Sequence, residues 1–208
     1  ASYQARQYCT VFLNISKEES MTAFTTEKID VEPWFDMELF MGVSQETRLG
    51  GDVMDRFMTL WKNWLPHLTV KGIDTGKIKY LLVALDESVE QDVDKAWEGS
   101  PSNAFLYNAL AQTMCMAAVH AVIPEVQDAG CAPAPKPTAT LREALEAEGI
   151  PYSNDKDPIL SRRYAVVTHY PFKGGCEICV LQSNCPKGQG QMEATSVVLP
   201  GYEHPQQM

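Results

Sequence analysis

The sequence predicts an α/β or α+β protein, a mixed sheet with packed helices, extended by a small C-terminal metal-binding module. Three observations lead there. Lys77 to Leu85 (KIKYLLVAL) is a nearly continuous apolar run, as expected of a strand covered on both faces. Asp52 to Leu65 repeats apolar residues at helical spacing. Cys176, Cys179 and Cys185 sit close together, downstream of a proline-rich stretch, GCAPAPKP, at 130–137. Alternating prolines favour an extended spacer. The expected division is a main domain over 1–129, a linker over 130–137, and the cysteine-bearing module over 138–208.

In chain order, Tyr8 to Ile15 (YCTVFLNI) is rich in β-branched and aromatic residues and reads as a strand. Met37 to Val43 reads as a weaker strand. The helix over Asp52 to Leu65 carries Val53, Phe57, Leu60, Trp61 and Trp64 on its apolar side, with Asp52 as its cap and Pro66 as its stop. After the strand at 77–85, Asp86 caps a helix whose acidic first turn suits the helix dipole. Val89, Val93 and Trp97 line one face of that helix, and Gly99 ends it. Ser100-Pro101 opens a helix that runs to about Ile123. Thr140-Leu-Arg-Glu143 has the form of a capping box, opening a short helix that ends at Gly149. Arg163 to Tyr170 reads as the last strand.

The chain has 208 residues and is 45% apolar, enough for one good core or a core with a small appendage. Its net charge of −10 is uneven. Residues 1–130 hold 10 Lys/Arg against 19 Asp/Glu, while 131–208 hold 7 against 8. Such acidity opposes binding to phosphate backbones, so nucleic acid is not expected as a partner. A protein partner is. The longest apolar candidate, Met114 to Ile123, is too short to span a bilayer and includes His120. The first residues lack the charged start and apolar run of a signal peptide. Of the six cysteines, three crowd one loop, a spacing that suits metal ligation and a reducing, cytoplasmic setting.

That loop runs from His169 through Cys176-Glu-Ile-Cys179 to Cys185-Pro186, a C-x2-C-x5-C pattern. Two intervening residues let one turn aim two thiolates at a common centre. Pro186 directly after the last cysteine is a feature of bacterial iron–sulfur runs. Gly174-Gly175 lets the backbone come close to a bulky inorganic group. Three cysteines leave a site one ligand short. His169, Cys9 and Cys131 are the candidates for the fourth, with a bound substrate as a further option. A [4Fe-4S] cluster is the expected cofactor, with zinc as the alternative, since zinc accepts three cysteines and a histidine.

The segment His169 to Cys185 resembles the iron–sulfur loop of the endonuclease III type of DNA glycosylase, whose pattern is C-x6-C-x2-C-x5-C. His169 stands where that family has its first cysteine. The resemblance implies a cluster. It covers under a tenth of the chain and brings no hairpin glycine motif, so DNA binding does not carry over. Cys9 together with the distant C-x2-C-x5-C is similar in placement to the cluster-stapled exonucleases of CRISPR systems. The E-x-K element of those nucleases is missing.

Other groups carry less. Cys115 and His120 are five apart on one helix, too far around to pair, and read as a core cysteine and an edge histidine. Met114, Met116 and the neighbouring alanines read as helix packing. Glu87, Glu90, Asp92 and Asp94 read as a solvated face. Arg162 and Arg163 read as surface residues, with anion binding as the alternative. The expected function is that of an iron–sulfur or other metal-binding protein with a redox or partner-binding role. The alternatives are an enzyme with an open metal position near His169 and a zinc-stapled interaction module.

Overall fold

The computed structural model describes residues 24–154 and 157–185. The strand expected over Tyr8 to Ile15, and Cys9 within it, lie outside them.

Four strands form one antiparallel sheet in the order β1 (Thr25–Lys28), β2 (Leu68–Asp74), β3 (Lys79–Leu85) and β4 (Ala165–His169). The expected mixed sheet is thus an α+β sheet without parallel pairs among the described residues. β2 and β3 make a hairpin, pairing from Leu68 opposite Leu85 to Asp74 opposite Lys79. Gly76 closes its turn at φ 75°, a region only glycine enters freely, with its N–H donating to Asp74 Oδ1 at 2.7 Å.

β3 explains its own apolar run. Side chains alternate across a strand, so Leu81, Val83 and Leu85 face one core and Tyr80, Leu82 and Ala84 the other. The first core lies under α1 (Met37–Ser44), α2 (Gly51–Trp64), α3 (Glu87–Gly99) and α4 (Pro101–Val122). The second lies under α6 (Ala139–Ala147), which buries Leu141, Ala144 and Leu145 against it.

Met37 to Val43, expected as a strand, is α1. Asp36 caps it, accepting from Leu39 N–H at 3.1 Å, and Met, Glu and Leu are good helix formers. Phe40 is fully buried and packs on Phe57 with ring centroids 4.9 Å apart. α2 starts one residue before Asp52, with Gly50 at the cap position, and buries Phe57, Trp61 and Trp64. Pro66 falls in the 3-10 turn that follows.

Asp86 caps α3 as expected, accepting from Ser88 N–H at 2.9 Å. Val89 and Val93 are buried, but Trp97, in the last turn, is 48% exposed. Ser100 and Pro101 open α4. By length and composition α4 is the one helix among the described residues long and apolar enough to cross a membrane. In this fold it is the central core helix, in contact with α1, α3, β3 and β4.

α5 (Pro124–Ala129) ends at Gly130 in the left-handed conformation. α6 is capped by Thr138, two residues before the expected Thr140, and Gly149 at φ 72° terminates it. Ile150 N–H reaches back to Leu145 O at 2.9 Å, the closing bond of a glycine-terminated helix.

The division at 130–137 does not separate two bodies. β4 pairs with β3 along Tyr80–Ala84, and α6 roofs the second face of the same sheet. The proline-rich stretch is itself packed in. Pro133 and Pro135 are buried, and Pro133 O accepts from Thr168 Oγ1 at 3.0 Å. Among the described residues, those beyond 138 form no separate core, because their apolar side chains complete those of the sheet.

Candidate metal centre

β4 delivers the chain to the cysteine loop. Beyond Tyr170-Pro171, a cis bond, the backbone reaches Gly174 at φ 55° and then Cys176. Two 3-10 turns, Cys176–Ile178 and Gln182–Asn184, fold the C-x2-C-x5-C stretch. Cys179 N–H donates to Cys176 O at 3.2 Å, Gln182 N–H to Cys179 O at 3.2 Å, and Cys185 N–H to Gln182 O at 3.3 Å. The two-residue spacing between Cys176 and Cys179 matches one such turn.

The loop is tied to the proline-rich stretch. Val180 N–H donates to Ala134 O at 3.1 Å, and Thr168 holds Pro133 from the sheet. This brings in Cys131. Cys131, Cys176, Cys179 and Cys185 all line one open cavity, with Pro133 and Gln182 among its walls. Cys176 is exposed and the other three are half-buried.

His169 is not among the residues lining that cavity. The pleat of β4 accounts for this. Adjacent residues of a strand point to opposite faces. Thr168 points to the side where Pro133 sits, and His169 points to the side of Tyr80, its partner across the sheet. The His169 and Tyr80 ring centroids are 5.5 Å apart, and His169 Nδ1 is buried without a hydrogen-bond partner. Burial lowers the His169 pKa, and the charge of Lys173 adds to the effect. Cys9 lies outside the described residues. Among the described residues no three His, Cys, Asp or Glu side chains are grouped closely enough to hold a single metal ion.

The remaining candidates have structural partners. Cys115 is buried on α4 with its Sγ 3.5 Å from Tyr164 O, and burial pushes its pKa up to about 12, so it is a core thiol. His120 is half-buried at a shallow cleft with Trp34 and Asp36. In the acidic stretch of α3, Asp92 accepts from Trp64 Nε1 at 3.0 Å, and Asp94 takes both guanidinium nitrogens of Arg163 at 2.7 and 3.2 Å. Glu90 accepts from Arg163 N–H, and Arg162 reaches Glu87 at 3.6 Å. These charges join β4 to α3 rather than face a ligand.

One constellation was not anticipated. His67 Nδ1 lies 2.6 Å from Asp86 Oδ2 and 3.2 Å from Ser88 Oγ. Both contacts use the same ring nitrogen, whereas a nucleophilic triad needs serine and carboxylate on opposite nitrogens. The group braces the start of α3. A wider cleft lies between β2–β3 and the end of α6, and its charges are largely matched, Lys71 with Glu148 and Asp86 with His67.

Comparison of the chain with protein families, with curated proteins and with solved structures finds no match. Among the described residues the fold is α+β, with one antiparallel sheet between two unequal helical layers.

Proposed function

We propose that this chain is an iron–sulfur protein in which Cys131, Cys176, Cys179 and Cys185 are the four thiolate ligands of a [4Fe-4S] cluster. The observation that carries this reading is Cys131. It is remote in sequence from the loop, yet it lines the same cavity as all three loop cysteines. Four cysteines are the usual ligand set of a cubane. Zinc needs four donors at about 2.0–2.3 Å from one point. Among the described residues no three His, Cys, Asp or Glu side chains are grouped that closely, so we favour a multi-atom cluster over one ion.

A bound cluster supplies one-electron chemistry and a covalent staple. The chain's own contribution is to hold the thiolates. The two 3-10 turns set Cys179 and Cys185, and the sheet positions Cys131 through Thr168 and Pro133. Ile178, Val180 and Leu181, each about two-fifths exposed, give the loop an apolar rim suited to contact with a protein partner. The role that follows is redox or accessory, with the cluster near the surface.

Purification without oxygen tests this. The expected product is brown, with about four irons and four acid-labile sulfides per chain. A colourless protein with one zinc per chain would replace the cluster with a zinc staple. A metal-free protein that keeps its fold and titrates its loop thiols would end both readings.

A further inference from the structure

Resting on that cluster reading, we propose that the iron bound by Cys176 is the exchangeable corner of the cluster, the one lost first on oxidation. The four cysteines are not equivalent. Cys179 and Cys185 each sit at the end of a 3-10 turn whose closing hydrogen bond is their own N–H. Cys131 belongs to a stretch anchored at Pro133 by Thr168 and at Ala134 by Val180. These three are half-buried.

Cys176 differs in exposure and in what precedes it. It is the exposed member of the set, and it follows Gly174 and Gly175. Among the described residues, a Cβ built on either glycine would meet nothing within 4 Å. Gly174 is in the left-handed region, where the backbone turns with little steric restraint. Cys176 shares the first turn through its carbonyl, but its N-terminal side is the flexible glycine pair, so this corner is the one most open to water and small oxidants.

The chemistry balances with ferricyanide as the oxidant. One electron passes from [4Fe-4S]2+ to ferricyanide, giving [4Fe-4S]3+ and ferrocyanide. The oxidised core then releases Fe2+ and becomes [3Fe-4S]+. The Cys176 thiolate loses its iron and takes a proton from water. Ferrous iron with a thiol reductant reverses the change. Such a corner acts as an oxidant-sensitive switch or as an open coordination position.

The test uses the anaerobically purified protein, one equivalent of ferricyanide, electron paramagnetic resonance and brief alkylation with iodoacetamide followed by peptide mass spectrometry. The expected result is a three-iron signal, loss of about one iron in four, and alkylation concentrated at Cys176. Labelling concentrated at Cys131, Cys179 or Cys185, or equal labelling of all four, would overturn this assignment while leaving the cluster in place. Starting protein without iron and sulfide would overturn the cluster reading and this one with it.

Discussion

Thr168 and Pro133 are joined by a hydrogen bond of 3.0 Å between a fully buried hydroxyl and a buried residue's carbonyl. This bond fixes the position of the proline-rich stretch against β4, and through it the position of Cys131. Thr168→Val keeps the shape of the side chain but leaves the carbonyl without its donor. The expected cost is about 1–3 kcal/mol in urea denaturation. Iron content after anaerobic purification should fall too, because the seat of one ligand loosens.

Cys131→Ala should remove most of the iron and bleach the visible absorption, as should Cys179→Ala and Cys185→Ala. His169→Ala should keep the iron, since the pleat turns that ring toward Tyr80. Iron analysis of the two variants side by side decides between the two ligands. Full iron in Cys131→Ala with loss in His169→Ala would reverse the assignment.

β3 should be intolerant of truncation on both faces. Leu81 and Leu82 are each fully buried, one in each core. Leu81→Ala and Leu82→Ala should each cost about 2–5 kcal/mol by chemical denaturation. A small effect at Leu82 alone would show that α6 does not close the second face.

Asp94 should contribute to acid lability. The Arg163 guanidinium, hydrogen-bonded to both carboxylate oxygens, holds Asp94 below the usual carboxylate range, outweighing an opposing desolvation effect. A folded-state pKa below the unfolded value gives stability that is complete above about 4 and is lost as pH falls through the folded value. Asp94→Asn should therefore lower the urea midpoint at pH 7, and its gap from the parent should close on acidification. A gap independent of pH would remove the ion pair from the explanation.

The sequence announced elements whose signals are local. β3 was legible because a two-sided strand has no polar face to obscure it, and the Asp86 cap because its partner is only two residues on. The sequence of α1 reads as a strand because a short apolar run has no clear period, and the Asp36 cap that decides for helix lies just outside that run. β2 went unseen because Lys71, Gly72 and Asp74 dilute its apolar character, although Asp-Thr-Gly was a turn signal. Cys176, Cys179 and Cys185 were legible as a set from spacing alone. The neighbour of that set was not. His169 looked suitable because it is close in sequence, while Cys131 reaches the cavity through a hydrogen bond between β4 and the proline-rich stretch that no local pattern encodes.

β3 and β4 lie side by side in the sheet, yet residues 86–164 separate them in the chain. Closing so long a loop before the pairing is rewarded slows folding. During synthesis the ribosome releases β3 and the helices of the first core well before β4. The β3 edge must then wait, exposed, for its last neighbour, which is a period of risk for aggregation. Cys131 emerges early but acquires its anchor only when Thr168 arrives. If the proposed cluster is bound, its loading would accordingly be a late, post-translational event, and chains stalled before residue 168 would present Cys131 with no site to join.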